Sequence, residues 1–573
     1  MTRFKLFIFT FSLLTFGACN SERPTEVVQL EISQVNLMPD FPQPYKMLNW
    51  KEKAKTFDKV IFDLDAQGDF QPFIWFDDSR KNLDQKTFGI YTVIGDVRQG
   101  HEVNNGEFHE AINSLGALLG AGLVGIDKTN QDSMNYVKMV QNYFNSETGW
   151  NIMMNNTCPE VAQLGGGYGR DWWYDVYPNV LYYGVCQLYP DVENANKIQR
   201  TIAEQFFKAD SVLDGNYAFS YFDYGSMEGK TNWIPPQEDA AAGHAYVLLA
   251  AYQKFGDPRY LKGAKSAIDA LLSQKESRYY EVLMPFGALV AARLNAEDST
   301  HYDIQKILDW TFEGCKAEKG RTGWGVIADN WSGYDVSGLQ GSRTDGGGYA
   351  FLMNTFDLSW PLVAMVRYAP EYAHTIGKWM LNAANATRLF YPYEIPDSNQ
   401  YLPSKKSVTR NVIGYEGLRK TDPFKKEERL ANISPIALGD GPNWVANQPD
   451  VSMFSIYGSA HVGIFASIVS TTNVEGILQL DCLATDFYRD AAYPTYLYYN
   501  PYNKIENVEY INTGDKIDLY DVLTETVITK NISEKSNFDI PANGTRLLVA
   551  IPAGSKIVKS DGKTFANNII ITY

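Results

Sequence analysis

Short polar stretches precede several apolar runs in this chain, and each carries residues able to move a proton or grip a polar ring. Ahead of the first run stand Glu107, His109 and Glu110. The second lies within "LGGGYGRDWWYDVYPNVLYYG" (Leu164–Gly184), which holds Arg170, Asp171, Trp172, Trp173 and Asp175. Trp233, Glu238 and Asp239 precede the third, and His244 lies further along it. Trp324, Asp329, Trp331, Tyr334, Arg343 and Asp345 come before the fifth. Two carboxyls brought close push one pKa upward, which prepares an acid and a base. That pairing is what cleavage of a glycosidic bond requires. A guanidinium clamps a carboxylate through two parallel hydrogen bonds, and flat aromatic faces can stack on sugar rings.

Each group also has a plainer reading. An acid at a helix start is usually a cap or a dipole partner. The prolines of "PPQED" mark such a start, so Glu238 and Asp239, taken alone, fit caps better than catalysts. Asp175 shares a helical face with Asp171 at i, i+4 and lies beyond capping range, which makes it the first choice for a catalytic carboxylate. Glu238 or Asp239 is its expected partner, with Glu110 behind. Expected substrate contacts are Arg170, Asp171, Trp172, Trp173, His109, His244, Trp324, Trp331, Tyr334 and Arg343. His109 and His244 fit satisfied core histidines better than catalysts. A metal site from Glu107, His109 and Glu110 has only one histidine, and neither glycine cluster follows a strand as a nucleotide fingerprint does, so no metal or cofactor is expected.

The elements that must position these residues follow one theme. "HEAINSLGALLGAGLVGI" (His109–Ile126) is apolar on nearly all sides, as a helix buried all round should be. Five more such runs follow: "WYDVYPNVLYYGVCQLYP", "PQEDAAAGHAYVLLAAYQKFG", "YEVLMPFGALVAARL", "GGGYAFLMNTFDLSWPLVAMVRYA" and "MFSIYGSAHVGIFASIVS". Amphipathic runs alternate with them, and "KEKAKTFDKVIF" is available to pair with the last. Uneven spacing excludes a small solenoid repeat. The expected fold is mainly α: an (α/α)6 barrel of helical hairpins over 44–474, with an open array as the alternative. From about 475 to 573, short β-branched and aromatic runs punctuated by Gly, Asn and Pro predict a smaller C-terminal antiparallel β-sandwich.

In a chain of 573 residues, a net charge of −16 argues against nucleic acid or an anionic membrane surface as partner. Aromatics reach 14%. They fit a large core and also carbohydrate stacking. Arg3, Lys5 and a short apolar run ending at "FGAC" read as a signal peptide over 1–18, with lipidation of Cys19 and a polar tether over 19–43. Membrane association is expected only through that anchor, on an exported lipoprotein. Cys158, Cys186, Cys315 and Cys482 read as buried free thiols.

The motif "WWYDVYPN" resembles the W-x-D-x-Y element of unsaturated glucuronyl and rhamnogalacturonyl hydrolases, and that resemblance places a catalytic role on Asp175. A longer pattern runs from "FDLDAQGDFQPFIWFDD" through "HEAINSLGALLGAGLVGIDK" to "PPQEDAAAGHAY". It is similar to glycoside hydrolase family 154 of polysaccharide-utilising gut bacteria. The resemblance implies an (α/α)6 barrel with β structure and exo-β-glucuronidase activity. The expectation is therefore an exo-acting glycoside hydrolase releasing a uronic acid, β-glucuronic acid first, from plant oligo- or polysaccharide. The alternatives are an unsaturated glucuronyl hydrolase or polysaccharide lyase, and a non-catalytic glycan-binding lipoprotein.

Overall fold

Helices that are apolar on every side must be surrounded by other helices, and a ring within a ring meets that demand. The computed structural model describes residues 26–68, 70–78, 82–94, 110–155, 171–318, 321–439 and 450–573. Its longer helices are α1 Trp50–Ile61, α2 Ala111–Leu123, α3 Trp172–Leu188, α4 Ala195–Leu213, α5 Ala240–Phe255, α6 Pro258–Ser273, α7 Met284–Asp298, α8 Ile304–Phe312, α9 Leu352–Met365, α10 Ala373–Ala386 and α11 Val462–Ile468. The inner ring runs α2, α3, α5, α7, α9, α11, and α11 packs back on α2. Outside it, α1 packs on α11, α4 and α6 on α5, α8 on α7, and α10 on α9. The segment Tyr136–Tyr143, one short helix and a 3-10 turn, stands between α2 and α3.

The ring closes where α2 and α11 cross at glycine. A Cβ on Gly463 would lie 2.3 Å from the Gly120 carbonyl oxygen, so the two backbones touch with no side chain between them. Long outer helices are amphipathic for the complementary reason. In α4, Ile198, Ile202 and Phe206 are buried, and charged residues occupy the other face.

The expectation of a mainly α chain needs correction, because strands also occur inside the barrel portion. Five of them form one antiparallel sheet: β1 Trp324–Val326, β2 Gln340–Ser342, β3 Tyr349–Phe351, β4 Gly417–Arg419 and β5 Ile436–Leu438, in the order β5-β4-β3-β2-β1. Each is three residues long, too short for a period-two pattern to register in sequence. After α11 the chain enters a six-stranded antiparallel sheet directly, beginning at Val469–Thr471. The pair Glu506–Ile511 and Lys535–Ile540 covers one face of that sheet. Val508, Phe538 and Ile540 there form a second apolar core with Tyr498, Leu519 and Leu548. A three-stranded sheet, residues 557–572, completes the C-terminal part. No helix among the described residues is long and apolar enough to cross a membrane. Cys186, Cys315 and Cys482 are free and buried, whereas Cys19 and Cys158 lie outside the described residues.

Candidate active site

The inner helices α2, α3, α7 and α9 begin at a common end, and a cavity of about 420 Å³ opens there. Glu110 is the N-cap residue of α2 and Asp171 that of α3, and both line it. Tyr280 and Glu281 lead into α7, Met353 and Asn354 start α9, and Tyr457 precedes α11. The mouth sheet supplies the other wall through Tyr349, Phe351, Glu416 and Arg419, with Asp345 and Phe424 beside it. Trp173 and Tyr174 stack face to face, with ring centroids 4.0 Å apart.

Asp171 is buried, and burial pushes its carboxyl up to about 7, although the Gln237 amide donates to Oδ1 at 2.7 Å and pulls the other way. A carboxyl at that value holds a proton near neutral pH and can give it up. Glu281 is different in two respects. Its φ of +60° is left-handed, a conformation rare for a residue with a side chain. Its Oε2 accepts a 2.7 Å hydrogen bond from Asn354 Nδ2. Glu416 Oε1 accepts from the Tyr457 hydroxyl at 2.5 Å. The Tyr174 hydroxyl is pushed well up, by burial first and then by the charges of Glu110, Glu281 and Asp171, which places those acids around one phenol.

Arg419 owes its position to strand register. It lies directly across from Tyr349 in the β3–β4 pair, and its guanidinium sits 3.4 Å from the centre of that ring. Its Nη1 donates to Asp345 Oδ2 at 2.6 Å.

The third inner helix contributes support rather than lining. The Gln237 side chain holds Asp171 and also accepts from the Trp173 backbone amide at 3.1 Å. Asp239 Oδ2 accepts from the Tyr280 amide at 2.9 Å. Glu238 forms an ion pair with Arg278 at 3.6 Å. Neither Glu238 nor Asp239 lines the cavity.

Several sequence expectations shift accordingly. Asp175 is 2% exposed and does not line the cavity. It lies one turn, roughly 6 Å, deeper than Asp171 along α3, where its charge acts on the Tyr224 hydroxyl. The shared face that pointed to Asp175 therefore leads into the barrel wall. Trp172 is fully buried and stacks on Tyr217, centroids 5.4 Å apart. His244 is a core histidine: fully buried, bonded through Nε2 to the Tyr224 hydroxyl at 2.7 Å, and held neutral by burial with its pKa near 3. Trp324 sits behind the wall, 5.0 Å from the Phe351 ring and 5.7 Å from Tyr280. Trp331 is buried and donates to Asp329 at 2.8 Å, and Tyr334 is half-buried on the same hairpin. Arg343 donates to the Glu313 carbonyl and does not line the cavity. Glu107, His109 and Arg170 lie outside the described residues.

The structure adds Glu281, Glu416, Arg419 and Tyr457, none of which the sequence singled out. "YYEVLMPF" did carry a signal, since Glu281 stands three residues before an inner helix, the same kind of place as the acids already noted. Arg419 and Glu416 sit in "GYEGLRK", which offered only a short glycine-spaced run. Among the described residues no three His, Cys, Asp or Glu side chains could hold a metal ion.

No family model and no curated protein matches this chain. Solved structures similar to it include a family 127 β-L-arabinofuranosidase from Geobacillus stearothermophilus T6, at 12% identity over 92% of this chain and 85% of that one, with a TM-score of 0.36. A family 76 glycoside hydrolase from a bovine Bacteroides thetaiotaomicron strain is 10% identical over 73% of this chain and 77% of that one, TM-score 0.37. A C. cellulolyticum cellulase is 15% identical over 73% and 97%, TM-score 0.34. At these scores the likeness assigns neither family nor activity.

Proposed function

We propose that this protein is an exo-acting glycoside hydrolase that removes a terminal uronic acid, β-glucuronic acid first, from plant glycan, as the likeness of its sequence to glycoside hydrolase family 154 implies. The observation that carries the reading is Asp171. It is a buried carboxyl whose proton is retained to about pH 7, and it shares one cavity with Glu110, Glu281 and Glu416. Asp171 protonates the leaving glycosidic oxygen, as a general acid must. Glu281, held by Asn354, is the carboxylate that activates water or attacks the sugar directly. Glu416 is the next candidate for that role. Trp173, Tyr280, Tyr349 and Phe351 form the stacking walls, and Arg419 takes the uronate carboxylate. The chain reaches its substrate as an exported lipoprotein anchored through Cys19.

The test is incubation with uronate-capped plant oligosaccharides, with products sized by mass. A released uronic acid supports the reading. Binding of these oligosaccharides with no product after long incubation sinks it and favours a glycan-binding protein. A new ultraviolet absorbance from an unsaturated uronate sinks it in favour of a lyase.

A further inference from the structure

Arg419 meets the cavity with its charge already answered. Among the described residues lining the cavity it is the sole lysine or arginine. It is 9% exposed on its side chain, is sandwiched against the Tyr349 ring, and is bonded to the Asp345 carboxylate. Three other acids there accept from neutral donors: Asp171 from Gln237, Glu281 from Asn354 and Glu416 from Tyr457. Asp345 is also the more exposed member of its pair, at 36% of its side chain. It opens the run Asp345-Gly346-Gly347-Gly348, in which all three glycines have positive φ and the Thr421, Lys420 and Trp331 side chains lie against the turn. The backbone there is anchored. The Asp345 amide donates to Ser342 Oγ at 3.0 Å, and the Thr421 hydroxyl donates to the Gly346 carbonyl at 3.0 Å.

We propose that Asp345 is a specificity-determining residue: it holds, on Arg419, the place of a sugar carboxylate, and its competition sets how strongly the site takes an acidic ring over a neutral one. This rests on the glycoside-cleaving reading of the same cavity. An incoming carboxylate trades one ion pair for another on a guanidinium whose plane the Tyr349 ring has already fixed, so little ordering is lost. A neutral sugar leaves the Arg419–Asp345 pair intact and gains nothing from breaking it.

The experiment titrates the full chain with D-glucuronate and with D-glucose by calorimetry, and measures turnover of paired nitrophenyl β-glucuronide and β-glucoside. Asp345→Asn keeps the shape and removes the competing charge. Glucuronate should bind about tenfold tighter, equivalent to about 1.4 kcal/mol, with glucose little changed. In an Arg419→Met background the same substitution should add no gain. Asp345→Ser serves if the amide variant fails to fold. Weaker glucuronate binding in Asp345→Asn, or equal change for both sugars, overturns the proposal and makes Asp345 part of the sugar grip. So does wild-type turnover of the glucoside alone with its preference unchanged in Asp345→Asn, an outcome that leaves glycosidic cleavage standing. Tighter glucuronate binding in Asp345→Asn without any turnover does the reverse, keeping this inference and removing the cleavage reading.

Discussion

Asp171 and Glu281 are both acids before inner helices, yet their surroundings differ. Asp171 is desolvated with one amide donor, so its proton is retained to about pH 7. Glu281 is pinned in a left-handed backbone with a donor on its carboxylate. The division of roles predicts that Asp171→Asn lowers kcat by about 10²–10⁴-fold, with folding intact by circular dichroism. Glu281→Gln should lower it by a similar factor, about 10²–10⁴, and retained turnover in either variant refutes its assigned role. The pH profile follows from the sign of the shift. An acid must be protonated to act, so kcat/KM should fall as pH rises through about 7, and that limb should vanish in Asp171→Asn. Stability shares the sign. Burial favours neutral Asp171, so its contribution is complete below the usual carboxylate range and is lost as pH rises through about 7.

At the scale of elements, the cavity depends on helix starts arriving at one height, which depends on the ring closing. The crossing of α2 and α11 allows no side chain, because an added Cβ at Gly463 meets backbone rather than a movable group. Gly463→Ala should therefore destabilise the fold by about 1–3 kcal/mol, read as a lower unfolding midpoint, while an alanine at Gly514, which has open space and no positive φ, serves as control for chain flexibility. The helices themselves were legible in the sequence because a helix buried on all sides has no polar face to hide, as "HEAINSLGALLGAGLVGI" displays. The mouth sheet was not legible. Strands such as Gln340–Ser342 and Gly417–Arg419 derive their order from partners far along the chain, and Gly341 and Gly417 carry no side-chain pattern. Arg419, placed by pairing with Tyr349, was missed for that reason.

Across the whole molecule, the C-terminal sheets are tied to the barrel through buried charge. Arg367, just past α9, pairs with Asp486, which also accepts from the Tyr368 hydroxyl at 3.0 Å, and both partners of the pair are nearly sealed from water. Arg293 of α7 donates to the Phe487 carbonyl at 3.0 Å beside it. Arg367→Met leaves a buried carboxylate without its cation and should cost about 3–5 kcal/mol, whereas replacing both partners with apolar residues should recover much of that loss in the same unfolding measurement. The sequence by itself determined the number of buried helices, their alternation with amphipathic ones, the β-rich end and the clustering of acids before helix starts, because hydrophobic periodicity and helix-start chemistry are local. Only the tertiary structure decided which acid meets the cavity, since one helical turn separates lining Asp171 from walled-in Asp175. It likewise decided which guanidinium faces it, since Arg419 is placed by strand pairing and not by its neighbours in the chain.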